Sequence, residues 1–372
     1  MASLRAVRRL QGLRDVDALP ATDLRRSDMK ATLMYKSGDV RVVEVPDPVI
    51  QQPTEALIRV TYACVCGSDL HPYHDLEDTP EGRRMGHEAI GVIVEIGENV
   101  RTLSVGDTVI VPFAWSDGTC PFCQDGLTTS CTHGGFFDGA ASATQAEKLI
   151  VPQADGTAVV IPEGTDEALM PSLLTLSDVY LTGYHAAIRG DVEPGKTVTV
   201  IGDGAVGLSA VLAAKQLGAE TIILMGRHTA RTDLGRDFGA THVVAERGDE
   251  GVAKVMEITR GEGSHVVLEA VGHMPAYEQA VGIVRAGGTI SRVGVPQYEE
   301  AAVGMASLFG KNATLTGGPA TVRAYLEQVL PQVLDGTIDP GRVFDREMPL
   351  EDIAEAYRLM DDREALKVLI RP

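Results

Sequence analysis

Thr197-Val198-Thr199-Val200-Ile201-Gly202-Asp203-Gly204-Ala205-Val206-Gly207-Leu208 joins an apolar, β-branched run to a Gly-x-Gly-x-x-Gly turn and to a helical stretch that continues to Leu217. Each glycine in such a turn has its own task. Gly202 permits the turn, Gly204 lets the backbone approach a pyrophosphate, and Gly207 lets the helix pack closely on the strand. The free N–H groups of the helix N-terminus then face the anion, with Ala205 and Val206 beside it. A lone glycine motif says little. Between a strand and a helix it predicts a dinucleotide site in a doubly wound parallel sheet.

The surrounding sequence agrees with that frame. Short apolar runs at Thr221–Met225, Thr241–Val244, Val266–Glu269 and Thr289–Val293 alternate with helix-length segments. Strands separated by helices predict a parallel sheet. A helical stretch, Asp178–Ile188, and a turn at Val192-Glu193-Pro194-Gly195 lead into it. Upstream, from Lys30 to about Ile161, the pattern is different. Alternating runs at Arg41–Val45, Ala56–Thr61 and Ile90–Ile96 are punctuated by Gly, Pro and Asp, which predicts an all-β, barrel-like region. Beyond Ala313 come a strand, a helix over Thr321–Leu334 and a last helix–strand pair. This tail is too short for a core of its own and is expected to return to the N-terminal domain.

The bulk numbers exclude several functions. At 372 residues the chain has length for about two domains. A net charge of −19 argues against nucleic acid or an anionic membrane as partner. No apolar run approaches the ~20 residues of a membrane span. The first 28 residues are arginine-rich but lack the apolar core of a secretory signal, and their four Asp weigh against a transit peptide, so they read as a disordered leader, or an early start codon, ahead of Met29. Five cysteines, an odd number with metal-type spacing, point to reduced thiols and a cytoplasmic setting. Cys64 reads as a small buried residue in a strand.

Two clusters suggest metal. Cys66-Gly67-Ser68-Asp69-Leu70-His71 is followed about twenty residues on by Gly86-His87-Glu88. A zinc ion that keeps one position open needs three S, N or O ligands, and Cys66 and His87 supply two. Ser68 and His71 read as a proton path beside the ion. The second cluster is Asp117-Gly118-Thr119-Cys120-Pro121-Phe122-Cys123 with Cys131 eight residues on. A closed structural site wants four ligands, and only three cysteines are present. Asp117 stands where the fourth is expected, with His133 as a weaker substitute. Either Asp117 completes the site or part of the population lacks this metal.

The end of the second predicted strand bears on the cofactor. Dinucleotide folds that take NAD usually place an acid there for the ribose 2′-OH. Here Thr221–Met225 ends in Gly226-Arg227-His228-Thr229-Ala230-Arg231, nineteen residues after Gly207. No carboxylate follows the strand, and Arg227 and Arg231 offer positive charge for a 2′-phosphate. This predicts NADP(H) over NAD(H).

Together these residues resemble the zinc-dependent alcohol dehydrogenases of the medium-chain dehydrogenase/reductase superfamily. The resemblance runs from about Met29 to Pro372. It rests on Cys66-Gly67-Ser68-Asp69, Gly86-His87-Glu88 with Gly91, the cysteine lobe, the glycine motif and Leu366-Lys367-Val368-Leu369. It implies a GroES-like β-barrel catalytic domain, residues 29–177 and 313–372, and a Rossmann cofactor domain, residues 178–312, with the active site between them. Leu176-Ser177-Asp178-Val179-Tyr180-Leu181-Thr182-Gly183-Tyr184-His185 looks like the family segment that supplies the third zinc ligand, here Asp178, and places Thr182 under the nicotinamide. Glu88 resembles the glutamate behind the metal that can ligate it transiently. Asp69 resembles the carboxylate that orients the histidine ligand. Further cofactor contacts are implied at Gly226, Arg227, His228, Arg231, Ala270, Val271, Gly294, Val295 and Lys367.

The implied reaction is reversible hydride transfer between a nicotinamide and an alcohol or carbonyl carbon, with Ser68 and His71 relaying the proton. A polyol or amino-alcohol dehydrogenase of the sorbitol or threonine type remains a rival. So does a zinc-free quinone reductase, although Cys66, His87 and Asp178 weigh against it. A cofactor-binding protein without turnover is the reading from another class. Phe113, Trp115, Phe136 and Phe137 are candidates for an apolar substrate wall or for the core. Family members are homodimers or homotetramers.

Overall fold

The computed structural model of the chain describes residues 28–137, 143–297 and 304–372. The leader expected over residues 1–28 lies outside the described residues, save Asp28, which opens the first strand, Asp28–Lys36.

Thr197–Ile201 is a strand, and the helix after the glycine turn spans Ala205–Gln216. Six parallel strands form one sheet in the order His242–Val244, Thr221–Met225, Thr197–Ile201, Ser264–Glu269, Val284–Arg292, Thr314–Gly317. Counted along the chain this is 3-2-1-4-5-6, the doubly wound order that opens a crevice where the direction of winding reverses. Val200, Leu224 and Leu268 have no exposure, as expected for strands covered by helices on both faces.

The N-terminal region is built on the long strand Ala56–Val65. Antiparallel neighbours are Ala89–Ile96, Lys148–Val151 and Val368–Arg371, and the sheet continues outward through Thr108–Val111 to Val159–Val160. Two strands approach closely at Gly91, where a Cβ would lie 2.6 Å from the Arg59 carbonyl oxygen. A separate three-stranded sheet pairs Asp39–Pro46, Asp28–Lys36 and Arg83–Arg84.

The tail divides differently from the expectation. Arg346–Pro349 and Val368–Arg371 do return to the barrel sheet. Thr314–Gly317, however, is the edge strand of the parallel sheet, paired with Val284–Arg292. The boundary drawn at residue 313 therefore falls one strand early. Four residues carry no periodicity that names their neighbour; the exposed edge of the preceding strand decides it.

The two units meet along the helices Met170–Thr175 and Val179–Arg189. Nine of the eleven residues of the second helix are buried, which marks it as an interior helix rather than an amphipathic one. Gly183 makes this possible, since a Cβ there would lie 2.4 Å from the Ala210 nitrogen of the neighbouring helix. Leu173, Leu174 and Leu181 are wholly buried at this seam and contribute ~1.5–3 kcal/mol each. The helix start is thereby fixed at the mouth of the cleft.

Candidate active site

Three separate elements deliver the expected metal ligands to one point. Cys66 follows the strand Ala56–Val65, His87 precedes the strand Ala89–Ile96, and Asp178 is the residue before the helix Val179–Arg189. Cys66 Sγ lies 3.7 Å from Asp178 Oδ2, and His87 Nε2 lies 3.3 Å from the same oxygen. A tetrahedral ion with bonds of about 2.0–2.3 Å sets such S···O and N···O edges at about 3.3–3.5 Å. The donor set and its spacing therefore fit zinc. Glu88 lies within the same group, whose four ligand atoms are all within 4.8 Å of one another.

The surroundings orient these groups. The Asp69 carboxylate accepts from the Cys66 N–H at 2.9 Å and lies 3.4 Å from His87 Nδ1. With Nδ1 engaged, Nε2 is the nitrogen presented to an ion. Asp69 is itself held by Gln145 Nε2 at 3.1 Å, and the Tyr357 hydroxyl donates to Gln145 Oε1 at 3.1 Å. Gln145 and Tyr357 escape a motif search because neither sits near the ligands in sequence. Burial raises the Asp178 carboxyl, but hydrogen bonding and charge from His87 outweigh it and hold it below its ordinary range. Thr182 Oγ1 donates to Asp178 Oδ1 at 2.7 Å and leaves Oδ2 toward Cys66 and His87.

Glu88 faces away from open cleft. Its Oε1 accepts from Lys367 Nζ at 2.7 Å, and both side chains are 1% exposed. Burial pushes the Glu88 carboxyl up, and Lys367 draws it partly back. Lys367 also sits over the Phe344 ring and donates to the Val65 carbonyl. Lys367, expected at the cofactor, is thus buried against Glu88. A buried ammonium must be paired, and the acid in reach is Glu88.

A cavity of about 650 Å³ runs past the ligands between the two units. Ser68, His87, Asp178 and Thr182 line it on the metal side, and Gly294 and Val295 line it on the Rossmann side. Phe113, Phe136 and Phe137 form part of its wall, with the first two stacked 5.8 Å apart. Trp115 does not border it and packs edge-on against Phe137 instead. His71 is half-buried, and its Nδ1 meets Gln297 Nε2 at 3.2 Å across the cleft. Burial, then the charge of His273, lowers the His71 pKa, so the ring is neutral near pH 7 and able to accept a proton.

The glycine turn matches its sequence reading. A Cβ at Gly207 would lie 2.0 Å from the Gly202 carbonyl oxygen, whereas Gly204 faces open space. That opening at the start of a twelve-residue helix is the room a pyrophosphate needs. Gly202 packs against Ala270 and Val271, and Gly294 packs against Val271 and Gly272, so these expected contacts gather at one crevice.

The end of the strand Thr221–Met225 holds a carboxylate that the sequence reading did not place there. Asp203, inside the glycine motif, places its carboxylate at the end of the strand Thr221–Met225. Its Oδ2 accepts from the N–H of Arg227 at 2.9 Å, the N–H of His228 at 3.0 Å and the His228 ring at 2.9 Å. Burial raises this carboxyl, but the His228 and Arg227 bonds outweigh it and hold it below its ordinary range. Gly226 is required beneath it, since a Cβ there would lie 2.5 Å from Asp203 Cβ. Arg227 is exposed, while Arg231 donates to the Ala365 carbonyl at 2.9 Å. A carboxylate is therefore present after all, supplied from another loop.

The cysteine lobe also converges. Cys120 Sγ lies 3.6 Å from Cys123 Sγ and 3.8 Å from Cys131 Sγ. Thiolates around a tetrahedral zinc stand about 3.8 Å apart. Asp117 completes the group of four. Its Oδ1 caps the N–H groups of Thr119 and Cys120, and Oδ2 meets His133 Nδ1 at 2.7 Å. His133 thus braces Asp117 and does not replace it. Cys64 is buried in its strand, as expected.

Known proteins of one family match most of the chain. Residues 52–163 match the alcohol dehydrogenase GroES-like domain, and residues 205–335 match the zinc-binding dehydrogenase family. Zinc-type alcohol dehydrogenase B of Aspergillus flavus is 33% identical over 355 residues, covering 92% of this chain and 81% of that protein. The NADP-dependent isopropanol dehydrogenase of Thermoanaerobacter brockii is 30% identical over 358 residues, covering 92% and 99%. Among solved structures, alcohol dehydrogenase TADH from Thermus sp. ATN1 superposes with a TM-score of 0.86 at 35% identity, covering 92% of this chain and all of that one.

Proposed function

The chain belongs to the zinc-dependent alcohol dehydrogenases of the medium-chain dehydrogenase/reductase superfamily, and from that membership we propose that it interconverts alcohols and carbonyl compounds in the cleft beside Cys66, His87 and Asp178, using NAD(H). The observation that carries this reading is the meeting of Sγ, Nε2 and Oδ2 from three elements at 3.3 and 3.7 Å on the wall of an apolar cleft.

Zinc held by these ligands supplies the Lewis acid that acidifies the alcohol, and the nicotinamide supplies the hydride acceptor. Ser68, at the cleft surface, takes the hydroxyl proton. His71, neutral and half-buried, receives it next and returns it to solvent. Asp69 and Thr182 hold His87 and Asp178 in the ligating geometry. Phe113, Phe136 and Phe137 exclude water from the reacting carbon and suit an apolar substrate body better than a polyol. The Gly204 opening takes the pyrophosphate.

Arg227 and Arg231 led to the expectation of NADP(H). Three features of Asp203 favour NAD(H). It brings negative charge to the ribose position. It already occupies the N–H groups of Arg227 and His228 that a 2′-phosphate would use. Its second oxygen remains for a ribose hydroxyl. The test is zinc analysis with turnover of an aldehyde and ketone panel, NADH and NADPH in parallel. Turnover with NADH on zinc-loaded protein is expected. Preference for NADPH would overturn the cofactor reading, and silence with both would overturn the enzyme reading.

A further inference from the structure

The catalytic cleft carries a cation that has no hydrogen-bond or ion-pair partner among the described residues. Arg84 borders the cavity in the strand Arg83–Arg84, three residues before the metal ligand His87. Its backbone is fixed by pairing with Leu33. Its side chain is half-buried, yet among the described residues no hydrogen bond or ion pair is made by its guanidinium. The two other arginines of the cavity wall are committed. Arg83 has a partner, and Arg292 lies over the Tyr277 ring, 5.7 Å from its centroid.

The acids of the cleft are committed too. Asp69 serves Cys66, His87 and Gln145, and Asp178 serves His87 and Thr182. Burial draws the Arg84 guanidinium below its ordinary range, and no acid draws it back. It nevertheless stays protonated, as arginine does in proteins. This contrasts with a chain that has 52 acids against 33 Lys and Arg, where a stray arginine finds a carboxylate easily. A partly desolvated, unpaired guanidinium is unfavourable unless something arrives to pair with it.

We propose that Arg84 receives an anionic group of the substrate, so that the preferred alcohols and carbonyl compounds have an apolar body ending in a carboxylate or phosphate. The inference rests on the dehydrogenase reading above. A planar guanidinium takes either anion through two parallel N–H···O bonds. Three residues of chain place the Arg84 and His87 α-carbons within about 11 Å. A substrate of a few carbons then spans the metal and the guanidinium, with Met85, Phe113 and Phe137 around its middle.

The experiment compares matched pairs on metal-loaded protein with saturating cofactor: butanal with succinic semialdehyde, benzaldehyde with 4-carboxybenzaldehyde, and glyceraldehyde with its 3-phosphate. Wild type, Arg84→Ala and Arg84→Lys are run together, with benzoate and methylphosphonate titrated calorimetrically into each. The expected result is a kcat/KM at least tenfold higher for the anionic member. In Arg84→Ala that advantage disappears through KM, the neutral member stays within about twofold, and anion binding is lost. Arg84→Lys restores part of it. Whether the carboxylate or the phosphate pair responds identifies the group. Equal constants for both members in wild type and variant overturn the proposal and leave the dehydrogenase intact. So does a rise confined to the cofactor's Kd, which would assign Arg84 to the pyrophosphate. Silence toward every carbonyl, with benzoate binding lost in Arg84→Ala, overturns the dehydrogenase and keeps the anion seat.

Discussion

Asp203 stands where a side chain of residue 226 would be. A Cβ on Gly226 would lie 2.5 Å from Asp203 Cβ and 2.9 Å from its Oδ2. The two positions are 23 residues apart in sequence but compete for one volume, and the proposed reading puts the cofactor's adenosine ribose beside it. In wild type, the glycine yields it to the aspartate.

The competition predicts a coupled pair. Gly226→Asp alone is expected to weaken NADH binding and lower stability by ~1–3 kcal/mol through overpacking and like-charge contact. Asp203→Gly with Gly226→Asp is expected to recover NADH binding. Asp203→Asn removes one charge and is expected to move the NADH/NADPH Kd ratio about tenfold toward NADPH, or about 1.4 kcal/mol. Fluorescence titration of each variant with both reduced cofactors measures this without turnover. An unchanged ratio would remove Asp203 from cofactor selection.

Ser68→Ala is expected to lose ~10²–10³ in kcat, the usual share of a group that carries a proton. Cofactor Kd and zinc content should be unchanged. A variant that turns over normally would pass the proton to another group.

The cysteine lobe can be tested through its one non-thiolate member. Asp117→Cys is expected to hold zinc more firmly against a chelator, because thiolate is the better structural ligand. Asp117→Ala should lose the lobe metal, and with it the caps on Thr119 and Cys120, and melt at lower temperature. Metal per chain by atomic emission, beside Tm, checks both. Equal zinc content in all three proteins would show that Asp117 is not a ligand.

His185 predicts a pH dependence of stability. It is 4% exposed, and its Nδ1 meets the Tyr325 hydroxyl at 2.9 Å. Burial, assisted by Arg189, lowers its pKa from 6.5 to about 4. The unfolded chain therefore takes a proton below pH 6.5 that the native state refuses. Stability is intact above pH 6.5, falls as pH drops toward 4, and loses about 3 kcal/mol over that window. His185→Gln should flatten this fall relative to wild type in urea midpoints at pH 7, 5.5 and 4.5. Parallel curves for the two proteins would rule out His185 as the source.

Much of this was legible from local signals. Thr197–Ile201 with Gly202, Gly204 and Gly207 announced its strand, turn and helix, because strand propensity, glycine freedom and helix start lie within a dozen residues. Cys66, His87 and the Cys120–Cys123 pair were legible because metal ligands need particular donor atoms. Asp178 required likeness to known enzymes, since one aspartate before a helix is otherwise an ordinary cap.

The sequence by itself determined the two-domain α/β plan, the metal chemistry and the dinucleotide turn, all of which follow from side-chain type at short spacing. Only the tertiary structure decided that Lys367 pairs with Glu88, 279 residues away, that Gln145 and Tyr357 brace Asp69, that Thr314–Gly317 joins the parallel sheet, and that Asp203 fills the space above Gly226. The reason is physical. Buried charges and polar groups must find partners, and which partner is in reach depends on how distant strands and loops pack, a relation that no local period or motif records.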